Sequence, residues 1–204
     1  MPLITSISVQ EKNKKRCNLF INGEFYAGIS LECALKYRLK KGLELSQNEL
    51  TEIILESNKV EALSLGIKYV TNALKTKKQV KTYLLGKGYS EEVVWYCIDK
   101  LKEYKYIDDA EYAKRYIESV SKNQGTRLTE YKLMMKGVKK EDIAFAYSEC
   151  DIPHNENAFS VAEKHIKHKE RTKENLSKTY RYLIGRGFSY EEANFAISKL
   201  KEDS

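Results

Sequence analysis

Histidine and cysteine are the first residues to test for chemistry, because they bind metals and act as nucleophiles or bases. The chain has three histidines and four cysteines. His165 and His168 stand three apart on a helical pattern, but two ligands do not make a site, and no cysteine or carboxylate falls at zinc-ligand spacing beside them. Cys150 and His154 would suit a thiol and its base, but Pro153 breaks any helix between them. For His165 and His168 the pattern favours a solvated helix face over a metal centre. For Cys150 it favours a small core residue over a nucleophile.

Two glycine triplets, Gly86-Lys87-Gly88 and Gly185-Arg186-Gly187, resemble phosphate-binding loops. A P-loop has a glycine five residues before its Gly-Lys, then Ser or Thr, and a strand leading in. Here position 81 is lysine, glycine follows Lys87, and a helical pattern precedes it. The acid pairs Asp108-Asp109 and Glu91-Glu92 fall at predicted helix starts, where the macrodipole favours negative charge. We therefore expect no enzyme, no cofactor and no metal.

Basic residues recur around the middle of three similar segments, and they are the candidate binding residues for a partner or a nucleic acid. They are Lys75, Lys77, Lys78, Lys81, Lys87, Arg127, Lys132, Lys136, Arg171, Lys173, Arg181 and Arg186. One interpretation is a charged surface for a polyanion or an acidic protein groove, with Tyr104-Lys105-Tyr106 and Tyr180-Arg181-Tyr182 as stacking elements. The other is structural, because a cation just before a glycine stabilises a helix C-terminus and tyrosines in helical stripes usually pack.

Composition limits the fold that must position these side chains. Of 204 residues, 42% are hydrophobic and 32% are charged, with a formal net charge of +7, which excludes a mostly disordered chain. There are only 10 glycines and 2 prolines, so helices with short connections are favoured over a sandwich or barrel. The longest apolar run, Val93 to Ile98, is too short for a membrane span, and the scattered cysteines suit a reduced, cytoplasmic protein.

The N-terminal 30 residues have strand periodicity. Three short apolar runs begin at Ile4, Cys17 and Phe25, and Asn22-Gly23 predicts a tight hairpin between the last two. Two helices are predicted next: one ending near Gly42, and one opened by the capping box Ser46-x-x-Glu49. We expect residues 1–59 to form a hairpin, or three-strand element, plus two helices.

From residue 60 the sequence repeats itself. Gly88, Gly137 and Gly187 follow one another at intervals of 49 and 50, and each has a leucine four residues before it. Each segment reads as three amphipathic helices, with Trp95 placed on an apolar stripe of the first segment. We predict three-helix repeats over 60–107, 108–152 and 153–204, stacked in an elongated, curved array.

The ordered combination of three motifs resembles the RecX family of bacterial recombination regulators. The motifs are Tyr106-Ile107-Asp108-Asp109-Ala110-Glu111-Tyr112-Ala113-Lys114-Arg115-Tyr116, the pattern from Leu133 to Gly137, and the stretch from Arg171 to Phe188. The hairpin run Arg16 to Ser30 is similar to the N-terminal extension of Gram-positive members. The resemblance implies a cytoplasmic, non-enzymatic protein of DNA repair and the SOS response. It would bind the RecA filament, lie in its groove, and restrain its ATPase and strand exchange, with direct DNA contact in some members.

Three hypotheses follow: a regulator of the RecA filament, an autonomous nucleic-acid binder, and an adaptor for an unrelated protein. None of these hypotheses requires a membrane, and each is compatible with a monomeric protein. The segment 109–152 carries eight basic and eight acidic residues, so the positive charge belongs to the other segments. We expect the first and last repeats to steer any charged encounter.

Overall fold

The computed structural model describes residues 1–202, and within them it contains three strands and ten helices. The mainly helical fold with a small N-terminal sheet is the one that composition and periodicity predict. In chain order the elements are β1 (Ile4–Val9), β2 (Arg16–Ile21), β3 (Glu24–Ser30), α1 (Leu31–Lys36), α2 (Gln47–Asn72), α3 (Lys77–Gly86), α4 (Glu91–Glu103), α5 (Asp109–Val120), α6 (Thr126–Met135), α7 (Lys140–Ser148), α8 (His154–Ile166), α9 (Lys173–Gly185) and α10 (Tyr190–Glu202).

The sheet is antiparallel with the order β1-β2-β3. Asn22 and Gly23 both have positive φ, at 52° and 92°, which is the backbone of the tight hairpin turn predicted there. Alternate residues of β2 are buried, and they pack with residues of α2 such as Leu50 and Ile53. The sheet therefore has one face on a small core of its own.

The first helix ends earlier than predicted. α1 stops at Lys36 rather than near Gly42. Arg38 adopts a left-handed φ of 50°, and the N–H of Leu39 donates to the carbonyl of Ala34 at 2.9 Å, which closes the helix. The prediction failed because the stop is held by the burial of Leu39, a tertiary contact, rather than by a glycine.

Helix α2 is one continuous helix of 26 residues where two were predicted. Its N-terminus has the predicted capping box, since Ser46 and Glu49 exchange bonds of 2.6 and 3.2 Å. No glycine or proline interrupts the chain before Gly66, so nothing ends the helix. The predicted boundary between residues 59 and 60 lies inside α2, and the division into repeats stays a prediction.

The chain packs as two units. The first is made of Met1–Leu74 and Val80–Ile107, and the second of Lys75–Gln79 together with the chain from Asp108 onward. The first unit contains the core under the sheet and a second one centred on α2, α3 and α4. The second unit contains one core around α5, α6 and α7 and another around α8, α9 and α10.

The three repeat glycines build the same helix stop. Each has a φ of 87 or 88°. The N–H of the next residue bonds back to the repeat leucine, and those leucines, Leu84, Leu133 and Leu183, are fully buried. This is the Schellman geometry that the sequence predicts, repeated three times.

Two predicted core residues are less buried than expected. Trp95 is 37% exposed, because α4 turns Val94 and Cys97 inward instead. Cys150 is only partly buried. No helix among residues 1–202 combines the length and apolar character that crossing a bilayer requires.

Candidate binding surface

His165 and Cys150 both lie in structural contacts. The Nδ1 of His165 lies 3.0 Å from the hydroxyl of Thr179, and its ring stacks on Tyr182 at 4.2 Å. His165 is therefore partly buried rather than on a solvated face, and burial lowers its pKa. Burial also raises the pKa of the Cys150 thiol, which opposes nucleophilic activation. The part of the chain that the structure describes contains no group of three or more metal-ligating side chains.

A basic residue lies over a tyrosine ring at each of the three repeat glycines. Because each one follows the end of a helix, its charge also faces the negative end of the helix dipole. The cation–π contacts, measured to the ring centroids, are Lys87 over Tyr83 at 5.6 Å, Lys136 over Tyr116 at 5.8 Å and Arg186 over Tyr182 at 5.1 Å. Each ring limits the directions its cation can take, so each repeat presents a positioned charge.

The origin of the tyrosine differs between repeats. Tyr83 and Tyr182 stand four residues before their cations, the spacing that places two side chains on one helix face. In the second repeat that position is Lys132, and Tyr116 comes from α5 instead. Sequence spacing would have found the first and third pairs, whereas only the packing of α5 reveals the second.

In the first unit, Lys81 and Lys87 differ in how far neighbouring side chains compensate their charge. The ammonium of Lys81 lies 3.3 Å from Glu91 and 4.7 Å from the Trp95 ring, so local partners compensate its charge. Lys87 is exposed, and its tyrosine is itself stacked at 4.1 Å on Tyr69. Lys87 is thus the better placed of the two to meet a partner.

The segment Lys75–Gln79 packs within the second unit. The hydroxyl of Thr76 donates to the carbonyl of Lys136 at 2.7 Å, and the ammonium of Lys78 donates to the carbonyl of Met135 at 3.1 Å. The backbone N–H of Lys77 donates to Asp109 at 2.8 Å, and the side chain of Lys75 is partly buried. The structure therefore brings Lys78 and Lys136 together at the end of α6.

The two basic residues of α6 have different surroundings. Lys132 donates to the side-chain oxygen of Gln124 at 2.5 Å, and the amide of Gln124 donates to Thr129 at 2.8 Å. Since Gln124 is buried, these bonds satisfy polar atoms that would otherwise lack partners. Arg127 is exposed, with its guanidinium 6.0 Å from the ring of Tyr190. Arg127 faces solvent, whereas Lys132 is held by its hydrogen bond to the buried Gln124.

The third repeat contributes four predicted residues. Arg171 donates to the carbonyl of Leu200 at 2.7 Å, near the end of α10. Arg186 donates to the hydroxyl of Tyr182 at 2.7 and 3.0 Å. Lys173 and Arg181 are exposed on α9. Arg171 and Arg186 are thus fixed by hydrogen bonds, while Lys173 and Arg181 project from the helix.

The second unit also exposes apolar residues that the sequence reasoning missed. Tyr131, Met134 and Met135 of α6 are 56, 38 and 60% exposed. Their spacing within one helix was visible in the sequence, but the periodicity of α6 does not say which face the neighbouring helices cover.

Helical repeats with a basic side chain on a tyrosine at each repeat glycine form an array that presents surfaces rather than enclosed pockets. Comparison with known proteins identifies the family of this chain. Residues 2–46 match the family model for the N-terminal domain of regulatory protein RecX, and residues 62–101 match the model for the first three-helix domain of RecX. The regulatory protein RecX of Clostridium tetani is 36% identical over 97% of this chain and 94% of its own length. That of Clostridium botulinum strain Alaska E43 is 33% identical over 94% of this chain and 92% of its own.

Solved structures agree on the fold. A crystal structure of regulatory protein RecX superimposes with a TM-score of 0.73 at 23% identity, covering 96% of this chain and 98% of that one. RecX from Lactobacillus salivarius superimposes with a TM-score of 0.65 at 22% identity, covering 71% and 97%. The chain belongs to the RecX family of regulatory proteins.

Proposed function

We propose that this protein binds the RecA nucleoprotein filament and restrains its ATPase and strand-exchange activity in recombination and repair. The observation that carries the proposal is the repeated placement of a basic side chain on a tyrosine ring at Gly88, Gly137 and Gly187. A regulator of a filament must contact a repeating, negatively charged assembly, and positioned cations at regular intervals along the chain suit that task. Membership of a family of regulatory proteins supports the same proposal.

The charge distribution supports a partner that is met through the first and third repeats. Lys87, Lys173 and Arg181 are exposed, whereas Lys81 and Lys132 are engaged by neighbouring side chains. Exposed charges steer encounter more than they add affinity, so these residues would govern the association rate and its salt dependence. The proposal entails a cytoplasmic monomer that needs no cofactor.

The direct test is ATP hydrolysis by purified RecA on single-stranded DNA with increasing amounts of this protein. We expect the hydrolysis rate to fall and to level off at saturation. An unchanged rate at saturating protein, with the protein shown to be folded by circular dichroism, would overturn the proposal.

A second candidate function is autonomous nucleic-acid binding. Tyr104 and Tyr106 are 51 and 40% exposed on either side of Lys105, an arrangement that offers ring faces to bases. This function predicts affinity for DNA without RecA, falling with salt by a slope of about one per phosphate contact. Tyr104→Ala with Tyr106→Ala would weaken that affinity, and salt-insensitive binding would exclude this function.

A further inference from the structure

The exposed face of α6 differs from the corresponding faces of α3 and α9. Tyr131 and Met135 stand four residues apart on α6, with Met134 beside them, and all three side chains reach solvent. We call these residues, together with Arg127 one turn earlier, the α6 face. Residues with this spacing share one side of a helix, and here that side carries large apolar groups instead of polar ones.

The other two repeats supply an internal comparison. Six residues before the repeat glycine, the three repeats carry Thr82, Tyr131 and Arg181, and two residues before it they carry Gly86, Met135 and Gly185. Only the middle repeat places large apolar side chains at both positions. Tyr131 and Met135 do not contribute to the core of the fold, because both side chains are more than half exposed.

Cations lie at both ends of the α6 face. Arg127 is exposed at its beginning, and the ammonium of Lys78 donates to the carbonyl of Met135 at its end. Glu130 is partly buried at its side and is the one acid within α6. The α6 face is thus about two turns long, and its apolar strip of about one turn lies between two positive charges.

The composition of this face favours a protein partner over DNA. Tyrosine, methionine and arginine are enriched in the centres of protein interfaces, and methionine adapts its shape to a partner. Methionine offers neither a charge for a phosphate nor a ring for a base. We propose that the α6 face binds the protein subunit of the filament, through an apolar segment of that subunit flanked by carboxylates. This inference rests on the proposed function.

The test measures the affinity of the full-length protein for RecA assembled on fluorescent single-stranded DNA with a slowly hydrolysed ATP analogue. The variant is Tyr131→Ser with Met135→Ser. Its matched control is Phe145→Ser on α7, since Phe145 is also 60% exposed. We expect the double variant to lose about tenfold or more in affinity, as for central interface residues, with an unchanged salt slope, and the control to stay within about twofold. Circular dichroism and the melting temperature verify that each variant is folded.

The arms of this experiment separate the two proposals. If the wild-type protein binds filaments and the double variant binds equally well, the inference about the α6 face is overturned and the proposed function stands. If the wild-type protein does not bind filaments, both are overturned. If the double variant instead loses a self-association that the wild-type protein shows in analytical ultracentrifugation, the face joins two copies and the inference is again overturned.

Discussion

The backbone N–H of Gly125 donates to the carbonyl of Arg186 at 3.0 Å, which joins the start of α6 to the turn that ends α9. A second bond, from the N–H of Arg127 to the carbonyl of Gly187 at 3.1 Å, fixes the same contact. A Cβ atom at position 125 would overlap the backbone of Gly187 and Phe188. Gly187 therefore ends α9, and its carbonyl also accepts a hydrogen bond from the first turn of α6.

Gly125→Ala is expected to destabilise the protein. The added methyl group meets backbone rather than a flexible side chain, so the turn must move, at a cost of about 1 to 3 kcal/mol in the free energy of unfolding. The measurement is urea unfolding followed by circular dichroism.

Gly185→Ala is the matched control for this substitution. Gly185 is exposed near the end of α9, and no described atom outside its own neighbourhood lies within 4 Å of its added Cβ. Alanine there should be neutral or stabilise by about 0.5 to 1 kcal/mol. Equal effects of the two substitutions would contradict the seating of α6 on this turn.

His165→Phe should flatten the pH dependence of stability. Burial lowers the pKa of His165 in the folded protein, with a smaller contribution from Lys169, so the folded state favours the neutral ring. The unfolded chain takes up the proton near its ordinary pKa of about 6.5, so wild-type stability is lost as the pH falls through that value. Phenylalanine keeps a ring against Tyr182 and does not titrate.

Thermal melts of the wild-type protein and His165→Phe between pH 7.5 and 5 check this prediction. We expect the melting temperature of the wild-type protein to fall further than that of the variant. Two parallel curves would show that His165 is not linked to folding.

Cysteine reactivity should divide the four thiols into two groups. Cys17, Cys33 and Cys97 are buried, and burial raises the pKa of Cys97 to about 11. At pH 8 only about one molecule in a thousand carries that thiolate. Cys150 is partly exposed and should react first with a disulfide reagent.

Mass spectrometry after brief labelling identifies the modified residue. One fast thiol is expected in the native protein, and all four in urea. Labelling of Cys97 as fast as Cys150 without urea would contradict the packing of α4.

Lys87→Glu with Arg186→Glu should weaken binding to RecA filaments. Both cations sit on tyrosines at repeat glycines, and reversing them replaces attraction with repulsion, so we expect about a tenfold loss and a shallower salt dependence. The measurement is the filament affinity at several salt concentrations.

Lys12→Glu with Lys14→Glu is the charge-matched control. Both lysines are exposed between β1 and β2, outside the three repeats. A similar loss for both double variants would indicate a nonspecific effect of net charge rather than a role for the glycine turns.

Local signals in the sequence predicted many elements correctly. The capping box predicted at Ser46 forms, and the same bond from the cap residue's N–H to the side chain three residues later is made at Thr76 and Ser189, because it depends on residues only three apart. The hairpin at Asn22-Gly23 forms for the same reason. The end of α1 and the continuity of α2 were predicted wrongly, since each depends on what the helix packs against.

The candidate binding surface was also predictable only in part. The sequence contained every basic residue, and the spacing of Tyr83 to Lys87 is readable without coordinates. It did not show that Lys132 is engaged by Gln124 or that Tyr116 supplies the ring under Lys136. Those partners come from other helices, and periodicity within a helix does not specify them.

By itself, the sequence determined the three helix stops at Gly88, Gly137 and Gly187, because a glycine with positive φ and a leucine four residues earlier act within one turn of chain. The tertiary structure decided which charges remain free and which helix face stays uncovered. Tyr131 and Met135 have the spacing of a buried stripe, yet they face solvent, because α5 and α7 pack on the other side of α6 and bury Leu133 instead. Burial is a property of the assembled helices, and only their packing assigns it.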